Sequence, residues 1–346
     1  MRLAVYRALA MRRTGLVLDE CFRGHDTGPG HPERPERLVA VERALRERGL
    51  ADRCTRLPLR EAATDQIHRL HRPDYVERLI SACRDGAPFI DVPDSAICPK
   101  SYDLAVLAAG SVIEAVDLVM AGTIDNAFCA VRPPGHHALE DRSMGFCLLN
   151  NVAIAADHLT RRHRLERVLI VDWDVHHGNG TQALFESRRD VMYISLHGDP
   201  RWVYPGTSGW ATETGIGRGE GFTLNLPMRP GSGDAEYRQA FDEAIAPVVA
   251  SYRPQFVLIS AGFDAHRADP LAPIELDDSS YDWMTTRLLE FAASHAANRL
   301  VSVLEGGYDL DALGRCAAAH VAHLADATGQ SHSQSHGRQP VDPEPD

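Results

Sequence analysis

The sequence predicts a single α/β domain wound around a mainly parallel sheet with helices on both faces. Short apolar runs rich in β-branched residues recur along the chain without strict alternation, so each strand is expected to be covered on both sides. Segments with apolar residues at helical spacing lie between them, and strand and helix alternate almost throughout. No internal repeat or linker divides the chain. Its 346 residues therefore read as an N-terminal extension (1–13), one domain (14–327) and a polar tail (328–346).

The first run, TGLVLD (14–19), is followed by a helical stretch over 35–48 in which Arg37, Leu38, Val41 and Leu45 share a face. The nearly all-apolar stretch 102–120 predicts a buried helix before the strand AFCAV (127–131). A helix over 151–163 precedes RVLIVD (167–172), and VMYISL (191–196) and FTLNL (222–226) follow. The last units are a helix over 235–251, the strand FVLIS (256–260), a helix over 279–297 and the strand LVSVL (300–304). From Thr328 the chain reads TGQSHSQSHGRQPVDPEPD, too polar to bury a core and expected to be disordered, with His332 and His336 solvated.

Composition excludes several classes. A net charge of −12 argues against stable nucleic-acid binding, which needs clustered Lys and Arg; acidity alone signals no more than solubility. The seven cysteines (Cys21, Cys54, Cys83, Cys98, Cys129, Cys147, Cys316) are scattered, without a C-x-x-C pair. That pattern argues against a disulfide framework or zinc ribbon and predicts a reducing, cytoplasmic setting. The start, MRLAVYRALAMRR, lacks the apolar core and cleavage site of a signal peptide, and Met11 is a candidate start. No apolar run is long enough to predict a membrane span.

The stretch VLIVDWDVHHGNGTQ carries the chemistry. An apolar strand breaks into Asp172, Asp174, His176 and His177 at the sheet's carboxyl edge, where α/β folds place ligands. Period-two alternation would point Asp172, Asp174 and His176 one way and His177 the other. Two carboxylates and an imidazole converging in a buried spot call for a divalent cation. The alternative for each acid or imidazole alone is a helix cap or a polar loop.

Other strand ends add to this rim. QFVLISAGFDAHRADP presents Asp264 as a third ligand, leaving open positions as a catalytic ion requires. AVRPPGHHALEDRSMGFCLLNN sets His136 and His137 on a stiff turn, suited to proton transfer near neutrality. LVSVLEGGYDL brings Gly306 and Gly307, which let a loop pass close to a ligand, and Tyr308, a donor for a developing oxyanion. Together these describe metal-assisted hydrolysis of an acyl bond.

The motifs GPGHPERPERL, RPPGHHA, GFCLLNN, DWDVHHGNGTQ, YPGTSG, AGFDAHRADPL and EGGYDL, in that order, resemble the zinc-dependent histone deacetylase family, which includes acetylpolyamine amidohydrolases. The wording is closer to class II than to class I. The resemblance implies the arginase–deacetylase fold with an eight-stranded sheet, and one Zn2+ held by Asp174, His176 and Asp264. Fe2+ competes for a donor set this hard. It further implies His136 and His137 as the tandem histidines and Tyr308 as the carbonyl-polarising hydroxyl. Asp172 would orient His136 and share a structural K+ with Ser195, Leu196 and main-chain oxygens of Asp174 and His176. Gly145, Phe146, Tyr204 and Leu271 would form the acyl tunnel, where ordinary packing is the alternative reading for the side chains. Class I members carry an Asp behind the second histidine; here Asn179 stands there, implying a His137 that is neutral at rest.

The partner implied is an acylated lysine side chain or an acetylated polyamine, with homo-oligomerisation left open. Leu271 stands where polyamine-selective relatives can carry a gatekeeping Glu. A binuclear manganese ureohydrolase and a non-catalytic acyl-ligand-binding protein are the competing readings.

Overall fold

A computed structural model describes residues 12–326; the expected polar tail and most of the N-terminal extension lie outside the described residues. The strands are β1 (Thr14–Leu18), β2 (Thr55–Arg56), β3 (Asn126–Ala130), β4 (Val168–Asp172), β5 (Val191–Gly198), β6 (Thr223–Met228), β7 (Phe256–Ala261) and β8 (Leu300–Leu304). They form one sheet in the order β2-β1-β3-β8-β7-β4-β5-β6, with every neighbouring pair parallel. This is the eight-stranded arrangement expected. In β1, β3, β4, β5, β7 and β8 every residue is buried, which is why their sequences do not alternate.

Helices cover both faces. On one, α1 (Glu36–Glu47), α10 (Asp278–His295) and α11 (Leu310–Ala325) pack together; on the other, α5 (Ser101–Met120) packs with α6 (Asn151–Arg161). The apolar α5 lies along β3 and β8, and α6 along β4 and β7. Burial of residues such as Ile170, Leu258 and Val301, all fully buried, stabilises this core by about 1.5–3 kcal/mol each.

Three departures from the sequence expectation have local causes. β2 is two exposed residues on the sheet edge and leaves no apolar run. The helix expected over 235–251 is α8 (Asp234–Ala240), one π turn (Phe241–Ile245) and α9 (Ala246–Tyr252). Pro247 at the start of α9 has no N–H to give the preceding turn, and a wider turn accommodates that loss. Third, α4 (Pro73–Arg84) adds a surface helix started by its proline.

Among the described residues the seven cysteines are unpaired, and no helix is long and apolar enough to cross a membrane. The four strands β3, β8, β7 and β4 are contiguous in mid-sheet. Their carboxyl ends carry the residues singled out above.

Candidate active site

β4 stops at Asp172 and the chain turns, so the alternation expected to align Asp172 with Asp174 and His176 ends there. The side chains divide instead. Asp174 and His176 meet Asp264 from the end of β7, with ligand atoms of all three within 4.8 Å of one another and all three residues buried. Asp172 accepts from His136 Nδ1 at 3.1 Å and from the Tyr193 hydroxyl at 3.0 Å. His177 turns away, bonding Ser208 and Gln182.

The three-residue set fits a divalent cation. His176 Nδ1 lies 3.1 Å from Asp174 Oδ1 and 3.1 Å from Asp264 Oδ2, so one imidazole nitrogen faces two buried carboxylates. Burial, and then Asp174, push the Asp264 carboxyl above its usual range, the mark of a site short of positive charge. The far oxygens are fixed by the Gly306 amide on Asp174 Oδ2 (2.7 Å) and the Val175 amide on Asp264 Oδ1 (2.9 Å). At 306 only glycine fits: a Cβ would sit 2.0 Å from Asp264 Oδ2.

Beside this set the tandem imidazoles have centroids 4.0 Å apart and opposite proton affinities. For His136, burial opposes charging, but Asp174 and Asp172 outweigh it and lift the pKa to about 10. For His137, burial and the neighbouring His136 and His176 hold the pKa well below the usual value. His137 Nδ1 donates to Asn179 Oδ1 at 2.7 Å, which leaves Nε2 as the basic nitrogen; the Asn179 amide in turn donates to Met144 Sδ. The Tyr308 hydroxyl is pushed well above its normal pKa by burial and Asp264, so it remains a donor.

The expected channel residues surround these groups unevenly. Phe146 (φ +68°) packs edge-on against Tyr308 at 5.9 Å, and Tyr204 against His137 at 5.2 Å. Gly145, also at positive φ, lies so close to the His137 ring that a Cβ would meet Cδ2 at 2.3 Å. Leu271 is exposed, its amide held by Asp269. Ser195, paired in register with Asp172 across β4 and β5, bonds His197, and Leu196 beside it is fully buried.

Several supporting residues escaped the sequence reading. Arg37 of α1, fully buried, donates to the Gly307 and Glu305 carbonyls and to Glu33, while Arg132 grips Glu33 from the loop after β3. Its signal was present: an arginine in register with Leu38, Val41 and Leu45 on an apolar face. Asp269 accepts the Tyr308 amide at 2.6 Å and the Asp309 amide at 3.2 Å on one oxygen, and the Leu271 amide at 3.1 Å on the other. Glu305 is buried beneath the tandem histidines. A cavity of about 890 Å3, lined by Arg164, Arg189, Phe222 and Tyr252 among others, lies where β4, β5 and β6 begin, and contains none of these residues.

Residues 31–324 match the family profile of the histone deacetylase domain. The chain is 40% identical over 331 residues to the histone deacetylase-like amidohydrolase of Pseudomonas aeruginosa, covering 91% of this chain and 86% of that one. It is also 40% identical over 290 residues to the polyamine deacetylase HDAC10 of Homo sapiens, covering 81% of this chain and 43% of that one. The crystal structure of the HDA15 HD domain superposes with a TM-score of 0.86 at 36% identity, covering 91% and 90% of the two chains.

Proposed function

The chain belongs to the histone deacetylase family, and from that premise we propose that it is a zinc-dependent amidohydrolase removing acetyl or other acyl groups from lysine ε-amines. The observation that carries this is the convergence of Asp174, His176 and Asp264 beside two imidazoles of opposite proton affinity. A divalent ion held by those three residues would supply Lewis acidity, polarising the acyl carbonyl and acidifying water. Its exchange for Fe2+ is compatible with the oxygen-rich donor set.

The rest of the reaction falls to the chain's own groups. His137, neutral at rest and oriented by Asn179, takes the proton of the attacking water at Nε2. Tyr308, still protonated, donates to the oxyanion of the tetrahedral intermediate. His137 then returns its proton to the departing amine. His136, held charged by Asp172 and Asp174, supports the developing negative charge. Gly145, Phe146 and Tyr204 form walls for the aliphatic stem, with Leu271 at the mouth. Asp172 and Ser195, adjacent in register, would contribute to a structural K+ site with Leu196 and the main chain of Asp174 and His176.

An acetylated polyamine is the alternative substrate, supported by the net charge of −12 and the named activity of the human relative. The exposed, uncharged Leu271 at the rim weighs against it. Metal-loaded protein tested side by side on acetyl-lysine peptides, longer acyl-lysines and acetylated polyamines decides between them. Preference for the polyamine would transfer the substrate assignment, and inactivity on every acyl amide would sink the proposal.

A further inference from the structure

Glu305 takes no part in the chemistry above, yet its side chain is fully buried at the end of β8. No Lys or Arg pairs with its carboxylate among the described residues, and the His136 imidazole stands within 4.8 Å of it without a hydrogen bond. The carboxylate instead serves three donors from two other strand ends. Oε2 accepts the Gly135 amide at 2.7 Å and the His136 amide at 3.2 Å, and Oε1 accepts the Ser260 hydroxyl of β7 at 3.2 Å.

The loop it meets has few other donors to offer. Pro133 and Pro134 have no N–H, so Gly135 and His136 carry the first amides after Arg132 that need a partner. Both go to Glu305. The loop's acceptors are met from elsewhere: Asn151 donates to the Pro133 carbonyl and the Thr181 amide to the His136 carbonyl. The imidazoles are tied at their tips by Asp172 and Asn179. Glu305 restrains the backbone at Gly135 and His136 from the side of β8.

We propose that Glu305 is a positioning residue of the reaction, fixing the backbone of the tandem histidines as a hydrogen-bond acceptor rather than as a charge. Two of its three bonds come from backbone amides, which need an accepting oxygen rather than a charge, and burial, which opposes ionisation, pushes its carboxyl up to about 7. An amide at this position can reproduce the bonds: its oxygen accepts both backbone amides and its nitrogen donates to the Ser260 hydroxyl. Alanine cannot, and aspartate keeps the charge one methylene short of the loop.

The inference rests on the deacetylase reading, and the test separates the two. Metal-loaded wild type, Glu305→Gln, Glu305→Ala and Glu305→Asp are compared for kcat, KM and amide hydrogen exchange of residues 133–138. Glu305→Ala is expected to lose kcat on the order of 10²-fold, the scale of a displacement near 1 Å, with KM changed less than about threefold. Its Gly135 and His136 amides should exchange faster. Glu305→Gln should stay within about threefold of wild type, and Glu305→Asp should fall about tenfold despite its charge. If the alanine variant does not fold, the glutamine and aspartate variants still separate an acceptor from a charge. Wild-type exchange and kcat in Glu305→Ala or Glu305→Asp would overturn the proposal, as would a glutamine variant as slow as the alanine one. An inactive wild type would sink the function reading instead, while the exchange measurement would still report the tether.

Discussion

Asp269 ties the Tyr308 loop to the Leu271 loop, so on the proposed mechanism its removal should act on the reaction through Tyr308. The carboxylate accepts three backbone amides, from Tyr308, Asp309 and Leu271. Asp269→Ala deletes all three, each a charge-assisted bond of about 1.5–3 kcal/mol, offset by relief of a carboxyl whose pKa burial has raised. The glycines before Tyr308 cannot hold the loop alone. Losing one oxyanion donor outright costs about 2.7–4 kcal/mol, or 10²–10³ in rate, which sets the ceiling expected for Tyr308→Phe. A displaced but intact tyrosine should cost less, about ten- to a hundredfold in kcat. In a Tyr308→Phe background, Asp269→Ala should then add no more than about threefold, a coupling of about 1–3 kcal/mol. The assay is kcat and KM for the four proteins of this cycle on an acetyl-lysine peptide, with metal content and thermal unfolding matched. Losses that multiply in full would show that Asp269 acts independently of the tyrosine, and a silent Asp269→Ala would refute the tether.

Asn179→Asp puts a negative charge behind His137. Because the histidine must be neutral to act as base, activity falls as pH drops through its pKa, and the substitution should move the acidic limb of the kcat/KM profile to higher pH; an unmoved limb would count against His137 as the base. Glu33, buried between Arg37 and Arg132, is held well below the usual carboxylate range by those arginines despite burial, so its stabilisation is present above the ordinary glutamate pKa of about 4.3 and is lost as pH falls below it. Glu33→Gln should therefore cost about 3–5 kcal/mol in urea unfolding at pH 7. The deficit should shrink progressively as pH falls below about 4, and one that stays constant with further acidification would be wrong for this pair. Titration with Zn2+ should saturate near one ion per chain and raise the unfolding midpoint, by about 4 kcal/mol of stability at a thousandfold excess over Kd. His176→Ala should abolish both effects, whereas saturation at two ions would favour a binuclear centre.

Much of the fold was legible because buried parallel strands must be apolar throughout, and runs such as VLIVD and FVLIS are too short to span a membrane as helices. β2 was not, because two exposed edge residues pair through backbone alone. The cluster proposed as the ligand set was legible: Asp174, His176 and Asp264 follow apolar strands, where charge is costly and so conspicuous. Asp172 was misdirected by the same rule, since alternation holds only while the strand continues. Asp269 and Glu305 were invisible for another reason. Each binds backbone amides from distant loops, and a backbone amide leaves no trace in residue type. Arg37 lay between these cases, a charge in a core register whose partners, two carbonyls and a glutamate, only the tertiary fold supplies.

The order of strands in mid-sheet sets when this centre comes into being. Asp174 and His176 leave β4, Asp264 leaves β7, the imidazole pair follows β3 and the tyrosine follows β8, so neighbours in space are drawn from segments far apart in the chain. No fragment ending before β7 holds more than two of the three proposed ligands. On the proposed reading, the chain emerging from a ribosome could not close the cage around an ion until β7 had slid in beside β4, which would make metal capture a late event of maturation and a natural check that assembly is complete.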